Sequence, residues 1–308
     1  MPEEFTIDSR DMATKLQAYQ WTPKGEVKAV LVLVHGMSEH MMRYAEMAEY
    51  LASKGFVAAG IDLLGHGRSA KTKEDFGYFC ERDAATVVVR DVHRLKKTVQ
   101  EKYPGIPVFL LGHSMGSFIA RCYIERYGTG IQGVIILGGN DQNLFAARFG
   151  RLMVGLVALL KGWRYRSPFI TKLILGHCLD RIENPTGPND WIVKRREVVE
   201  AYTKDPLSGF MFTLNGYDTL LTFTIRAGEP KELDRIPREL PMFMMSGSED
   251  PIGEWGEGVK RMEQLYRKLG MKHVEMKLVE GDRHELHNEE DRYETFERIA
   301  GFMEGVIA

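Results

Sequence analysis

Three polar segments of this chain contain the residue types that nucleophilic catalysis requires. Residues 112–116 (G-H-S-M-G) hold a serine between two glycines, residues 246–251 hold two acids, and residues 280–287 hold two histidines. A serine hydroxyl is a poor nucleophile at neutral pH, so it needs a general base. The base in turn needs an acid that orients it and stabilises its charged form. The three segments therefore supply candidates for a triad that would cleave acyl compounds.

Ser114 lies where a strand is predicted to turn sharply into a helix. The apolar run Val108–Leu111 predicts a buried strand, and residues 117–124 predict a helix. A G-x-S-x-G turn between a strand and a helix is typical of a nucleophile elbow, in which a strained serine projects its hydroxyl clear of the sheet. Glycine stands two residues before and after because a Cβ would crowd the turn. We predict Ser114 as the nucleophile.

The acid is expected on a loop after a late strand, because triads of this kind run serine, acid, histidine along the chain. Met242–Met245 predicts that strand, and Glu249 and Asp250 follow it. Asp250 precedes a proline, which biases it towards an extended backbone. We predict Asp250 as the acid, with Glu249 as the alternative.

The base is expected on the loop after the final strand, and this loop offers two histidines. We predict His284, because it lies nearer the strand end and can reach back to the serine. His287 stands at the approach to the last helix, where we expect it to cap or pack. Asp282 is expected to structure the loop.

An acyl-transfer site also needs backbone N–H donors for the oxyanion of the tetrahedral intermediate. One donor is the residue after the nucleophile, and the other comes from the loop after an early strand. These positions are Met115 and Met37, the latter in the loop His35–Ser38 that leaves the strand Ala29–Val34. We predict an oxyanion hole formed by these two N–H groups.

Predicted strands and helices alternate in the N-terminal part of the chain and again in its C-terminal part. This alternation predicts an α/β fold with a mainly parallel, doubly wound sheet, preceded by a hairpin. The predicted strands are Ala29–Val34, Phe56–Ile61, Val108–Leu111, Val134–Leu137, Met242–Met245 and Val274–Val279.

The alternation breaks after Gly139 and resumes near Arg238. We predict a core of residues 1–139 and 239–308 with a mostly helical cap of residues 140–238. Apolar stripes mark helices in the cap, one from Phe145 to Leu160, one from Phe210 to Leu221, and a third helix is expected over Trp191–Tyr202. We expect these stripes to pack mainly inside the protein. We also expect the cap to cover the serine, because it leaves the sheet where the strands end.

Composition narrows the class of protein. The net charge is −2, and no basic tract interleaved with aromatics is present, so no nucleic-acid partner is predicted. The three cysteines show no metal-ligand spacing and favour free thiols in a reducing compartment. The N-terminus lacks a signal-type apolar segment, and the longest apolar run, residues 152–160, is too short to span a bilayer. We predict a soluble, cytoplasmic protein that could still contact lipid peripherally through the cap; the sequence does not set its oligomeric state.

Several motifs resemble the α/β-hydrolase superfamily, and within it the monoacylglycerol lipase and lysophospholipase branch. The resemblance covers nearly the whole chain and is strong in the core. The matching segments are residues 35–40 (HGMSEH) with Arg43-Tyr44, 62–69 (DLLGHGRS), 107–116 (PVFLLGHSMG), 205–207 (DPL), 247–250 (GSED) and 280–284 (EGDRH).

The resemblance implies an α/β-hydrolase fold, a triad of Ser114, Asp250 and His284, and an oxyanion hole from Met37 and Met115. It also implies a cap that shapes an acyl pocket, and no metal or cofactor. Two positions depart from the family pattern, because Ser38 and Ser117 stand where the family usually has glycine. A hydroxyl at Ser38 could alter the oxyanion loop or touch the substrate.

These residues predict a serine esterase that acts through an acyl-enzyme on lipid esters such as monoacylglycerols or lysophospholipids. A short-chain or aryl (feruloyl-type) carboxylesterase is the alternative. A peptidase would need cap carboxylates to hold a substrate amine, and Glu183, Asp190 and Asp218 are the candidates. A non-catalytic binding protein is disfavoured because all three triad members are present. Dehalogenases and epoxide hydrolases need an aspartate where Ser114 stands.

Overall fold

A computed structural model describes residues 1–141 and 143–308, and within them eight strands form one sheet in the order β1-β2-β4-β3-β5-β6-β7-β8. The pairs β1–β2 and β2–β4 are antiparallel, and every later pair is parallel. The strands are β1 Glu3–Asp8, β2 Lys15–Trp21, β3 Ala29–Val34, β4 Phe56–Ile61, β5 Val108–His113, β6 Gly133–Leu137, β7 Met242–Gly247 and β8 Val274–Val279. The predicted α/β-hydrolase fold is confirmed.

Ten α-helices accompany this sheet in the described residues. They are α1 Ala45–Ser53, α2 Ala84–Lys102, α3 Met115–Tyr127, α4 Leu144–Lys161, α5 Pro168–Leu175, α6 Arg196–Lys204, α7 Leu214–Arg226, α8 Pro230–Leu233, α9 Glu257–Lys268 and α10 Arg292–Ile307.

The central strands are buried on both faces because helices cover the sheet on both sides. In β3, Val30, Val32 and Val34 face one core, while Ala29, Leu31 and Leu33 face the other. This alternation follows from the two-residue period of a strand. Helices α1 and α10 cover one face, and α2, α3, α7 and α9 cover the other. The carboxyl ends of the parallel strands therefore share one edge, where the predicted site residues lie.

Helices α4 to α8 occupy the stretch between β6 and β7, where the sequence predicts a helical cap. The helix predicted over Trp191–Tyr202 instead spans Arg196–Lys204, because the Ile192 carbonyl and the Lys194 N–H hydrogen-bond to the loop that contains His284. Phe210 precedes α7 rather than lying in it. The division into core and cap remains a prediction. Within the described residues no helix is both long and apolar enough to cross a membrane.

The expectation that the apolar stripe of α4 packs inside the protein is wrong. The large side chains at Phe145, Leu159 and Leu160 are 79%, 84% and 83% exposed. The residues of α4 that are buried are small or β-branched, namely Ala147, Gly150, Val154 and Ala158. The helix thus packs through its small residues and presents its large apolar residues to solvent.

Candidate active site

Ser114 occupies a strained turn between β5 and α3. Its backbone has φ 54° and ψ −119°, a combination that non-glycine residues rarely adopt. The flanking glycines are required by close packing: a Cβ at Gly112 would overlap the carbonyl oxygen of Gly116, and a Cβ at Gly116 would overlap that of Val34. The backbone therefore has the nucleophile-elbow geometry that the G-x-S-x-G motif predicts.

Ser117 contributes to this turn although the family usually has glycine there. Its Oγ donates a hydrogen bond of 2.5 Å to the carbonyl oxygen of Ser114, and its backbone N–H donates to the same oxygen at 2.9 Å. The hydroxyl thus stabilises the strained residue from within the first turn of α3.

Asp250 and His284 lie side by side and are both buried. His284 Nδ1 is 3.0 Å from each carboxylate oxygen of Asp250. The carboxylate also accepts hydrogen bonds from the backbone N–H of Ile252 (2.8 Å) and from the hydroxyl of Ser246 (3.3 Å). The alternative acid, Glu249, instead pairs with Lys194 at 2.8 Å. Of the two candidate acids, Asp250 is therefore the one that contacts the histidine.

The environment of His284 tunes its basicity. Burial opposes a charge on the ring, but the attraction of Asp250 and the hydrogen bond to it outweigh this cost and raise the pKa of His284 above its ordinary value. Its Nε2 is buried and has no hydrogen-bond partner among the described residues. With Nδ1 engaged by Asp250, Nε2 is the atom left for a proton from a nucleophile.

The elbow and the histidine lie against the same part of the sheet edge. The backbone N–H of Ser114 donates to the carbonyl oxygen of Leu137 at 3.0 Å. The next residue, Gly138, packs so closely on His284 that a Cβ there would lie 3.0 Å from its ring. The ring of His113, just before the nucleophile, is centred 4.8 Å from the His284 ring. The structure thus brings all three segments together, while the catalytic roles stay a prediction.

The loop of residues 35–38 approaches the elbow as an oxyanion loop would. A Cβ at Gly36 would lie 3.1 Å from Ser114 Cβ. Among the described residues, neither the Met37 nor the Met115 N–H donates to a protein acceptor. Both groups are therefore available to a ligand, as the predicted oxyanion hole requires.

Ser38 links this loop to the helical insertion. It adopts a positive φ of 55°. Glycine adopts such a φ without strain, which explains why the family motif usually has glycine at this position. Its hydroxyl donates to the carbonyl oxygen of Phe210 at 2.7 Å. Its own carbonyl oxygen accepts hydrogen bonds from the Tyr202 hydroxyl (3.1 Å) and the Gly209 N–H (2.9 Å). The hydroxyl thus contacts the insertion directly.

A buried ionic network, which the sequence did not predict, connects the oxyanion loop to the base loop. Arg43 forms two hydrogen bonds of 2.6 Å to Glu285, the residue after His284, and one of 2.7 Å to Glu39. Glu39 also accepts from the Gly36 N–H at 2.6 Å and from the Tyr44 hydroxyl at 2.7 Å. The i,i+4 spacing of Glu39 and Arg43 is compatible with their pairing. The pair with Glu285 has no local sequence signal, because Glu285 is 242 positions further along the chain than Arg43.

Glu39, His113 and His287 have ligand atoms within 4.8 Å of one another, as a metal site would need. Both oxygens of Glu39 already accept hydrogen bonds, one of them from Arg43, and His113 Nδ1 is 2.7 Å from the Tyr44 hydroxyl. Glu39 and His113 therefore belong to a hydrogen-bond network that already contains a cation, the guanidinium of Arg43. His287 packs on the Tyr44 ring, with centroids 4.4 Å apart, in keeping with its expected packing role.

Residues 190–195 of the insertion bind the loop that contains His284. The N–H of Glu285 donates to the carbonyl oxygen of Ile192 at 2.7 Å, and the N–H of Lys194 donates to Glu289 at 3.0 Å. The ring of Trp191 is centred 5.2 Å from that of His284. The insertion thus reaches the candidate site from two sides, through this segment and through Phe210.

Comparison with known proteins places these features in a family. The model of the family described as serine aminopeptidase, S33, matches residues 25–291. The monoacylglycerol lipase of Mycolicibacterium smegmatis is 28% identical over 92% of this chain and 90% of its own length. The monoglyceride lipase of Rattus norvegicus is 27% identical over 87% of this chain and 79% of its own length. A thermostable carboxyl esterase from Bacillus coagulans, solved with glycerol, is 30% identical with a TM-score of 0.92, covering 100% of this chain and 99% of the esterase.

Proposed function

The chain belongs to the serine aminopeptidase S33 family of α/β-hydrolases, and from this premise we propose that it hydrolyses carboxylic esters of lipids through an acyl-enzyme on Ser114. The observation that carries the proposal is a strained Ser114 whose neighbour His113 packs 4.8 Å, ring centre to ring centre, from a His284 that Asp250 holds. A histidine held by a carboxylate is the general base that a serine hydroxyl needs to become a nucleophile at neutral pH.

The proposed reaction has two acyl transfers. Ser114 Oγ attacks the ester carbonyl while His284 Nε2 takes the hydroxyl proton, and the N–H groups of Met37 and Met115 bind the oxyanion. The intermediate collapses as His284 returns the proton to the leaving alcohol. Water then attacks the acyl-serine with His284 again as the base, which releases the fatty acid and regenerates Ser114.

Monoacylglycerols or lysophospholipids are the proposed substrates. Two relatives are lipases of monoacylglycerols, and the esterase from Bacillus coagulans was solved with glycerol, the alcohol that a monoacylglycerol would release. The proposal includes peripheral contact of the helical insertion with lipid, because such substrates reside at lipid–water interfaces. A cytoplasmic location is part of the proposal too, and the three unpaired cysteines support it.

Two of the three candidate carboxylates, Asp190 and Asp218, have contacts that support an ester rather than a peptide substrate. Asp190 accepts hydrogen bonds from the N–H groups of Thr186 and Gly187 and pairs with Arg196 at 2.9 Å. Asp218 pairs with Arg151 at 2.8 Å. These two carboxylates are therefore already neutralised by the protein and are poorly suited to holding a substrate amine.

A short-chain carboxylesterase is the second candidate, favoured by the likeness to the carboxyl esterase from Bacillus coagulans. Initial rates on p-nitrophenyl esters from acetate to palmitate, together with a monoacylglycerol, separate the two. We expect the rate to rise beyond acetate and the monoacylglycerol to be hydrolysed, with S114A as the inactive control. A maximum at acetate without monoacylglycerol hydrolysis would assign the second function.

A further inference from the structure

We propose that β8 pairs antiparallel with β8 of a second copy of this chain, so that two sheets join across a two-fold axis at Met276. The strand spans Val274–Val279 and lies at one end of the strand order, next to β7. A strand at the edge of a sheet presents a row of backbone groups that another strand can bind. The proposal concerns assembly and does not depend on the proposed reaction.

The backbone of β8 alternates between its neighbour and the outside. The carbonyl oxygens of His273 and Val279 each accept a hydrogen bond of 2.8 Å from an N–H group of β7 or of the loop that follows it. The odd-numbered residues therefore face β7. Because successive residues of a strand direct their N–H and C=O groups to opposite sides, the even-numbered residues face away from the sheet, namely Val274, Met276 and Leu278.

On this outer side the free groups belong to the middle of the strand. The Val274 carbonyl oxygen accepts a hydrogen bond from Arg267 at 2.7 Å. Within the part of the chain that the structure describes, no loop or side chain hydrogen-bonds to the backbone of Met276 or Leu278, and both residues are partly exposed. A second β8 centred on Met276 would bond to these groups, because facing residues of an antiparallel pair exchange both hydrogen bonds at alternate positions.

The charges of β8 select this register. Glu275 and Lys277 are exposed, and neither forms an ion pair within residues 1–141 and 143–308. With the axis at Met276, Glu275 lies opposite Lys277 of the second copy, and the pair occurs again across the axis. An axis at Glu275 would place two glutamates opposite each other, and an axis at Lys277 two lysines. Like charges directly opposite each other destabilise a strand pair, so the axis at Met276 is favoured.

The other face of the strand is apolar and is also complementary to itself. Val274, Met276 and Leu278 pack with the core on the side of the sheet that α9 covers. In the proposed register Met276 meets its own copy and Val274 meets Leu278, so each pair on this face is apolar. Both faces therefore fit the same partner, a second copy of this strand, as a two-fold interface requires.

The opposite edge of the sheet lacks this complementarity. Strand β1 carries Glu3, Glu4 and Asp8 and has no Lys or Arg, so it offers no opposite charge to its own copy. Each of these acids pairs with a Lys or Arg of the same chain. Charged edges of this kind protect a sheet against association. Of the two edges, β8 is therefore the one fitted to pairing.

Sedimentation equilibrium of the full-length protein tests the proposal, and we expect a monomer–dimer equilibrium. E275K and K277E each replace two attractive pairs by repulsive ones and should raise the dimer dissociation constant about 30-fold. The double reversal E275K/K277E restores opposite charges and should dimerise as the wild type does. K97E is the matched control, because it alters an exposed lysine of α2, which packs on β3 and β4, and it should leave the constant unchanged.

A mixture of the two single variants tests the register itself. E275K facing K277E again has opposite charges at both pairs, so two variants that dimerise weakly alone should form a heterodimer together. The amide protons of Met276 and Leu278 should exchange more slowly in the wild type and in the mixture than in either variant alone. Both substituted residues are exposed, so each variant should keep the wild-type far-ultraviolet circular dichroism, which checks that it folds.

Four results would overturn this pairing of β8. They are a monomer at every loading concentration, a dimer that both single reversals leave intact, a mixture of E275K and K277E that stays monomeric, and an assembly that grows beyond the dimer.

Discussion

At the residue scale, the proposed chemistry depends on how His284 is held. Burial disfavours its charged form, yet the facing Asp250 carboxylate overcomes this and raises its pKa. A general base acts only when neutral, so activity should fall as the pH drops through this raised pKa. We therefore predict an acid limb of kcat/KM with a midpoint above the ordinary histidine pKa of about 6.5.

A pH–rate profile on a water-soluble ester measures this midpoint. Protein unfolding is excluded by following tryptophan fluorescence over the same pH range. A midpoint well below the ordinary histidine value would contradict the assignment of His284 as a base paired with Asp250.

Ser38 gives a second prediction at this scale. Its hydroxyl bonds to Phe210, so it couples the oxyanion loop to the insertion. S38A removes this bond, which is worth about 1 kcal/mol, and should lower kcat/KM by about fivefold, mainly through kcat if Met37 N–H is displaced. S53A is the matched control, because Ser53 also donates to a carbonyl but on the exposed end of α1. Wild-type kinetics in S38A would show that the hydroxyl does not position the loop.

At the element scale, helix α3 does more than support the elbow. Its Arg121 is 1% exposed and donates to the Tyr266 hydroxyl (2.8 Å) and to the carbonyl oxygens of Asn140 (2.8 Å) and Ala227 (2.7 Å). Asn140 lies before α4 and Ala227 follows α7. One buried guanidinium therefore links the start of α4 and the end of α7 to α3.

Loss of this side chain should destabilise the fold. R121M leaves three buried polar groups unpaired, each costing about 1–3 kcal/mol. Part of this cost is offset because an arginine no longer has to be buried. We predict a loss of about 3 kcal/mol in the free energy of unfolding, measured by urea denaturation. R126M, an exposed arginine of the same helix, should change it by less than about 0.5 kcal/mol. Equal effects of the two substitutions would refute the fastening role.

At the scale of the whole molecule, the insertion and the sheet are joined by several buried contacts. Ser38 bonds to Phe210, Glu285 to Ile192, and Arg121 to Asn140 and Ala227. We therefore predict that the molecule unfolds in one cooperative transition although the sequence divides it into a core and a cap.

Two single-tryptophan variants test this cooperativity. One retains Trp21 of β2, and the other retains Trp163 of the insertion. Their fluorescence transitions in urea should share one midpoint with the far-ultraviolet circular dichroism of each variant. Separate midpoints for the two probes would show that the cap unfolds on its own.

The sheet and the placement of the site segments could be predicted from the sequence, because both follow from local patterns. Strands buried on both faces read as apolar runs, and the order of serine, acid and histidine fixes which loops meet at the strand ends. The choice of Asp250 over Glu249, which rested on the following proline, agrees with the contact between Asp250 and His284.

Contacts between residues that are far apart in the sequence could not be predicted in this way. The Arg43–Glu285 pair joins residues 242 positions apart, and nothing in the local sequence specifies it. The stripe of α4 has the period of a core helix, but period does not say which side faces the protein. The small residues Ala147, Gly150 and Ala158 decide this, because they let α4 approach α7 closely.

Identification of the residue modified by a fluorophosphonate tests the central claim most directly. The probe reacts with a serine activated by a neighbouring base, so mass spectrometry of the labelled wild-type protein should place the adduct on Ser114. S114A should lose both the label and ester hydrolysis, while S117A, altered at the neighbouring serine of the same turn, should keep the label. Labelling that persists in S114A, or an adduct on another serine, would contradict the assignment of Ser114 as the nucleophile.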